Sequence, residues 1–331
     1  MPSPDRSSIA VIIVNYGTPD LAMAAVESVL VRGHGGHPVE VHLLDNASPG
    51  DDAWIFAQAH AARGWGDRVT LWPEQENHGF GRGNNVVIQA VAARPVPPDY
   101  VFLLNPDAAL ENEALAIMAD RLDAEPRTAV AGAGIALPSG RPVTAAFRFP
   151  SAFGEFVRAV NFGPLTRLFP HTTVALPADH PDGSVDWVSG AAVMMRLPVI
   201  VPLGGFDPDF FLYYEEVELM HRIRRTGYDI LYVPEARVRH TEGAATNVKS
   251  GQPDRKTRPS YWYDSWRLYY LKTAGRRGAI MAGLGWMGGA ALNVPLALLR
   301  GQRLHAPLNF FGDFSRWVMW PLLCGKPMHS D

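Results

Sequence analysis

A chain of 331 residues with 47% hydrophobic and 19% charged side chains has a globular balance, long enough for one large α/β domain or two smaller ones. The formal net charge of −3 argues against a dedicated nucleic-acid binder, so no nucleic-acid partner is expected. The single cysteine, Cys324, excludes an intramolecular disulfide and argues against a cysteine-built zinc site, which fits a reducing cytosol.

The first residues, MPSPDRSSIA, lack the basic start and apolar core of a secretory signal, so the protein is expected to stay where it is made. Ile9–Asn15 is an apolar run ending in polar residues, and a helix is predicted around Leu21–Val31. Val39–Asp45 repeats the pattern and leads into "DNAS"; a helix near Asp51–Arg63 and a strand at Val69–Trp72 follow. The stretch "HGFGRGNN" (78–85) is followed by a helix through about Ala93, and "YVFLLN" (Tyr100–Asn105) is a buried strand stopping at "NPD". Strands alternating with helices at this spacing predict βαβ units and a mostly parallel sheet. Ligands of such sheets bind beyond the carboxyl ends of the strands, where Asn15, Asp45–Ser48 and Asn105–Asp107 fall.

From Leu137 to Asp186 the pattern loosens, with an apolar helical face only at Phe153, Phe156, Val157 and Val160. Long loops of this kind are usually lids or binding surfaces. A second ordered block holds "VSGAAVMMR", "LGGFDPDFFLYYEEVELMHRIRRTGY" and "DILYVPEARVRH". A polar linker at Gly251–Thr257 precedes "YWYDSWRLYYLK", read as a solvated amphipathic helix, and then an apolar carboxyl-terminal region.

The glycine stretch is not a dinucleotide fingerprint. That motif needs G-x-G-x-x-G after the first strand, whereas here the spacing is G-x-G-x-G after the third. Asp45 and Asp107 each suit a turn or helix cap, but at the ends of neighbouring parallel strands they converge on one crevice. Glu215, Glu216 and Glu218 begin a helix, where acids are favoured by its dipole, and Glu218 is expected to pair with Arg222 on the surface. Strand alternation puts His240 on the face of Ala236 and Val238, away from Arg237 and Arg239, where a lone histidine is more often a packed core residue than a ligand. An acidic pocket with a histidine suits a hard divalent cation carrying a diphosphate.

Seven stretches in order make the chain resemble the family 2 glycosyltransferases, in their rhamnosyltransferase-like branch: "VIIVNYGTPD", "LLDNASPGDD", "ENHGFGRGNN", "FLLNPDAAL", "VSGAAVMMR", "GGFDPDFFLYYEEVELMHRIRRTGY" and "VRHTEG". They cover about residues 9–245. The resemblance implies a GT-A fold: a Rossmann-like, mostly parallel central sheet flanked by helices, with a helical carboxyl-terminal extension. It implies a catalytic domain over residues 1–245, of which 1–110 would bind the nucleotide sugar and 111–245 the acceptor and catalytic groups, followed by a possibly membrane-associated region, 246–331.

It also implies an inverting, metal-dependent transfer. Asp45 would bind the pyrimidine base, with Asn15, Asn46, Gly79, Arg82, Asn84, Asn85, Asn105, Gly190, Ala191 and Arg258 also on the donor side. Asp107, in the place of the family's D-x-D, and His240 would hold Mg²⁺ or Mn²⁺. Glu215-Glu216 stands for the family's E-D pair, whose second member is the general base; this points to Glu216, with Glu215 the alternative. dTDP-rhamnose is the first donor expected, then UDP-hexoses, and the acceptor a glycan or lipid-linked glycan in cell-surface polysaccharide synthesis. The rival readings are a non-catalytic sugar-nucleotide or glycan-binding protein on the same fold, and an NAD-dependent oxidoreductase.

Residues 279–299 approach membrane-spanning length without a charge, and Gly283, Gly285, Gly288, Gly289 and Pro295 favour a broken helix pair over one straight span. Trp286, Phe310, Phe311, Trp317 and Trp320 are the aromatics expected at a headgroup interface, and peripheral attachment to the inner face of the cytoplasmic membrane is expected.

Overall fold

Short runs of valine, isoleucine and leucine, each ending in a polar residue, build the sheet that positions everything else. The computed structural model describes residues 6–241 and 255–325, and its contacts group into two units. The first comprises Met1–Phe147, Leu176–Pro208 and Leu219–Ser250; the second comprises Arg148–Ala175, Asp209–Glu218 and Gly251–Asp331. The expected boundary at residue 245 and the first four residues of the expected linker lie outside the described residues.

The first unit begins β1 (Ile9–Asn15), α1 (Pro19–Leu30), β2 (Val39–Asp45), α2 (Asp52–Ala62), β3 (Val69–Pro73), α3 (Gly79–Ala92) and β4 (Tyr100–Leu104). The reading from sequence matches these seven to within two residues, except that α3 already starts inside the glycine stretch. β5 (Ala108–Leu110), α4 (Ala114–Ala124), β6 (Thr128–Ala136), β7 (Pro142–Val143) and β8 (Ala146–Phe147) follow. Thus a short strand, not a helix, comes directly after Asp107. The chain then contributes α5 (Ala152–Val160) and α6 (Gly163–Leu168) to the second unit. It returns with β9 (Gly183–Ser184), β10 (Trp187–Val188), β11 (Ala192–Arg196) and α7 (Leu197–Ile200), and later β12 (Asp229–His240). The helix α8 (Glu215–Arg225) has its first four residues in the second unit and the remainder in the first.

The principal sheet runs β3-β2-β1-β4-β11-β6-β12-β5. β1, β2, β3 and β4 are parallel, β11 lies antiparallel between β4 and β6, and β12 is parallel to β6. Alternation sorts the side chains to two faces. Ile9, Val11 and Ile13 pack with α1, α2 and α4, whereas Ala10 and Ile12 pack with α3, α7 and the later part of α8. This is the expected α/β architecture, with helices on both faces of a mostly parallel sheet into which β11 is set antiparallel, with β5 antiparallel at the edge.

The second unit is helical, built on α5 and α9 (Ser260–Leu299), with α10 (Phe310–Phe314) and α11 (Trp320–Cys324). Three expectations fail here. The aromatic stretch is not solvated, because Tyr263 and Ser265 to Tyr270 are all buried. The break falls at Gly275, with φ 68° and ψ 175°, and the helix runs on through the later glycines and Pro295. Those glycines are contact points: a Cβ on Gly285 would lie 2.8 Å from the Ala152 carbonyl oxygen, and one on Gly289 2.5 Å from that of Phe156. Finally, Trp286 and Phe310 are buried, in an aromatic cluster with Trp266 and Phe314, while Phe311 and Trp320 are exposed.

Neighbouring glycines should therefore respond with opposite signs. Gly289→Ala should lower stability by about 1–3 kcal/mol through overpacking. Gly288→Ala meets open space and should gain up to about 1 kcal/mol from helix propensity. Urea midpoints of the two variants check this; equal shifts would show that α9 does not seat on α5 through Gly289.

Candidate functional site

The β1–β2 register sets Asn15 directly beside Asp45 at the carboxyl edge of the sheet. Asn15 Nδ2 donates to Asp52 Oδ2 at 2.8 Å, to Ser48 Oγ at 3.2 Å and to Asp45 Oδ1 at 3.3 Å. Its Oδ1 accepts from the Thr18 amide and hydroxyl, which ties the start of α1 to the same point. Ser48 Oγ donates to Asp45 Oδ1 at 2.5 Å. Asp45 is thus a buried carboxylate held in one orientation by an amide and a hydroxyl, at the place where a parallel sheet receives ligands.

The glycine stretch forms the first turn of α3 and is held by asparagines. Asn46 Nδ2 donates to the Gly79 carbonyl at 3.0 Å and to Asn77 Oδ1 at 3.1 Å, and Asn46 Oδ1 accepts from the His78 amide. Asn77 Oδ1 also accepts from the Gly79 amide at 2.8 Å, where φ is +71°. A Cβ on Gly83 would come within 3.2 Å of Val14, so glycine lets α3 lie close on β1. Arg82 and Asn84 donate to backbone carbonyls one turn earlier. Asn85 exchanges two hydrogen bonds with the Phe206 backbone, at 2.7 and 2.9 Å. These amides hold α3 and the 204–206 turn in place.

Next along the same edge, the Asn105 amide donates to the Ala191 carbonyl at 2.9 Å, which places Gly190 and Ala191 beside the end of β4. His240, paired with Ala108 across β12 and β5, has Nε2 3.0 Å from Asp107 Oδ1 and 3.4 Å from Asn105 Nδ2. Both ionisable side chains are largely buried, at 14% and 7% exposure. One carboxylate, one imidazole and one amide make a sparse donor set. It fits a cation such as Mg²⁺ or Mn²⁺ that fills its remaining positions with phosphate oxygens and water. The described residues also bring His37, Asp120 and Asp123 together, but at the amino ends of the strands. There His37 bonds the Ser7 carbonyl and Asp120 pairs with Arg6, a contact that ties the chain down before β1.

In the second unit, Glu215 and Glu216 begin α8 after two residues in left-handed conformation, Tyr213 with φ 72° and Tyr214 with φ 67°. Non-glycine residues in this region cost of order 1–3 kcal/mol each and gather at functional sites. Tyr214 is held by ring contacts to Tyr269 at 5.4 Å and Trp262 at 6.0 Å, and its carbonyl accepts the Glu218 amide. Glu215 Oε2 and Glu216 Oε2 are buried with no hydrogen-bond partner among the described residues. Burial, and then the neighbouring Glu216 charge, push the Glu215 carboxyl well above its ordinary range; burial pushes Glu216 up as well. A carboxylate with an unsatisfied oxygen and raised basicity is suited to accepting a proton.

Glu218 is a correction, since it is buried at 3% exposure rather than on the surface, and Arg222 reaches the Leu203 and Gly205 carbonyls. Arg258 stacks over Trp262 at 5.4 Å. Sequence reasoning missed Asn77, Asp52 and the strained tyrosines. It also missed buried Glu155, which accepts from Tyr270 and Trp266 beside its ion pair with Arg158. The N-H-G order at 77–79 was a usable signal for the first; nothing local marks the others.

The sequence profile described as Glycosyltransferase like family 2 matches residues 4–258. The N-acetylglucosaminyl-diphospho-decaprenol L-rhamnosyltransferase of Mycobacterium tuberculosis is 30% identical over 220 residues, 63% of this chain and 68% of that protein. Rhamnosyltransferase WbbL of Escherichia coli is 26% identical over 161 residues, 47% of this chain and 58% of its own. Among solved structures, GalNAc-T7 with UDP, GalNAc and Mn²⁺ superposes with a TM-score of 0.57 at 14% identity, covering 98% of this chain and 59% of that one.

The glutamate pair makes stability depend on pH. A carboxyl held above its ordinary value of 4.5 keeps its proton in the folded state after the unfolded chain has lost it. Stability therefore falls as pH rises from 4.5 to the folded value, and is unaffected below 4.5. Glu215→Gln should raise the urea midpoint at pH 8, with a smaller gain at pH 5. A gain independent of pH, or a loss that grows with pH, would contradict the assignment.

Proposed function

This chain belongs to the family 2 glycosyltransferases, and we propose that it is an inverting, metal-dependent enzyme in which Glu216 is the general base. The observation that carries this reading is the buried Glu216 oxygen at the strained start of α8, which has no hydrogen-bond partner among the described residues. Glu215 presents the same feature beside it and is the alternative base.

The donor is a nucleoside-diphosphate sugar. Asp45, fixed by Asn15 and Ser48, receives the pyrimidine base, and the Gly190–Ala191 backbone lets the sugar approach closely. Asp107 and His240, with Asn105, hold Mg²⁺ or Mn²⁺. When bound, the cation supplies Lewis-acid stabilisation to the departing diphosphate. An acceptor hydroxyl gives its proton to Glu216 as its oxygen bonds to the anomeric carbon. The bond from that carbon to the phosphate oxygen breaks on the opposite face, and the nucleoside diphosphate leaves with the electron pair. The sugar passes through an oxocarbenium-like state, as in glycoside hydrolysis. The names of the two relatives support rhamnose as the sugar, with dTDP-rhamnose the first donor to test and UDP-hexoses next. The mycobacterial relative supports a sugar-diphospho-polyprenol acceptor in polysaccharide synthesis.

Attachment to a membrane surface is part of the proposal. α9 is long and apolar enough to cross a bilayer by composition. A helix apolar all round is normally buried. Here one face packs through Ala282, Trp286, Gly289, Ala290 and Asn293, while Met281, Leu284, Leu292, Leu298 and Leu299 face outward, at 50–85% exposure. Arg276 and Arg277 precede this stripe, and Arg300 and Arg303 follow it. A half-packed helix with basic ends suits lying in the headgroup layer of the inner leaflet rather than spanning it.

Glu216→Gln should cut turnover by ~10²–10⁴-fold while leaving donor binding intact. Asp107→Ala and excess EDTA should each abolish transfer. Nucleotide release from dTDP-rhamnose with a lipid-linked acceptor measures all three; full turnover in EDTA would sink the metal assignment. For the surface, replacing Met281, Leu284 and Leu292 together with glutamate changes outward-facing side chains and should release the protein from vesicles of anionic lipid. Unchanged co-sedimentation of that variant would remove α9 as the attachment face.

A further inference from the structure

Ahead of the glutamate pair, the second unit carries an outward-facing group of aromatic rings that the chemistry above does not use. Phe211 is 37% exposed, and Tyr213 and Tyr261 are half-buried. Tyr261, in the first turn of α9, lies 5.9 Å from Phe211 with the rings at 67°, and 6.2 Å from Tyr213 with the rings at 16°. Tyr213 and Tyr214 separate by function across one peptide: the Tyr214 ring goes to Trp262 and Tyr269, and the Tyr213 ring joins the outward group. Both residues are in left-handed conformation, and the outward ring of Tyr213 lies two residues ahead of Glu215 in the chain.

We infer that Phe211, Tyr213 and Tyr261 form a platform for a pyranose ring of the acceptor. The inference rests on the assignment of the acceptor side to the Glu215–Glu216 turn. A pyranose presents C–H groups made electropositive by adjacent oxygens, and the face of an aromatic ring is electronegative. Rings at fixed mutual angles hold the sugar plane without directional hydrogen bonds, leaving its hydroxyls turned to the side. A hydroxyl must come within hydrogen-bond reach of the base to react, and a platform two residues away limits the tilt of the sugar while it does so.

The test separates the platform from the base. Hexyl N-acetylglucosaminyl diphosphate and hexyl diphosphate are titrated calorimetrically into the Glu216→Gln protein, so that binding is read without turnover. The sugar-bearing probe should bind more tightly, and adding Tyr261→Ala should weaken it about tenfold while leaving the sugar-free probe unchanged. Tyr261→Phe, which keeps the ring, should restore the affinity, and near-UV circular dichroism checks that the alanine variant is folded. Equal binding of the two probes, or no loss with Tyr261→Ala, overturns the platform. If instead Glu216→Gln turns over at the parent rate, the base assignment fails while the titration still reads the platform.

Discussion

Seven consecutive residue pairs, from Ile9 against Val39 to Asn15 against Asp45, hold β1 and β2 in one parallel register. Side chains alternate with a period of two, so a slip of one residue would send Asn15 to the other face and empty the crevice of its organiser. The register is enforced from within, because Val11, Ile13, Val41 and Leu43 share one buried cluster with α1 and α2. The polar edge depends on that apolar grip. Asn15 then converts a backbone alignment into a side-chain arrangement, gathering Asp45, Ser48 and Asp52 around one amide.

Stability and chemistry pull against each other in the α8 turn. Two left-handed tyrosines, and two carboxylates with an oxygen each unsatisfied, are all unfavourable to folding. What offsets them is aromatic packing in the second unit: Tyr214 meets Trp262 and Tyr269, Tyr269 meets Tyr270, and Tyr270 meets Trp266. Glu155 adds a polar anchor within this packing by accepting from both Trp266 and Tyr270. The same division, rigid support around a costly turn, recurs at Gly79, where three asparagine contacts hold a positive φ.

The first half of the chain was legible because local and global signals agree there. β1 and β2 are apolar runs bounded by polar residues, and the boundaries read from sequence are those of the structure. The placing of Asn15 and Asp45 side by side at the carboxyl edge followed from the parallel sheet, but the strands that lead to Asp45 and Asp107, read from sequence as neighbours, have β1 between them. The second half was harder, since its signals are tertiary. A glycine in an apolar helix reads as a break, yet Gly285 and Gly289 are where α9 meets the α5 backbone. The charged residues and tyrosines in "YWYDSWRLYYLK" read as a wet surface, yet Arg267 is 9% exposed and reaches the Trp317 carbonyl. Glu218 looked like half of a surface pair because spacing on a helix carries no information about depth.

The place of β11 in the sheet has a consequence for how the protein is made. It fills the gap between β4 and β6, although β4 ends at Leu104 and β11 begins only at Ala192. As the chain leaves the ribosome, β3, β2, β1 and β4 can pair in parallel at once, but the outer edge of β4 stays open until 88 further residues have emerged. At ordinary elongation rates that interval is roughly 4–18 s. Throughout it, the apolar run of Tyr100, Val101, Phe102, Leu103 and Leu104 offers unpaired backbone groups to any passing strand. The nascent chain thus has a window of vulnerability in mid-synthesis. Chaperone demand during biogenesis should be concentrated between the emergence of β4 and that of β11, and substitutions that slow translation across residues 105–191 should lower the soluble yield without altering the finished fold.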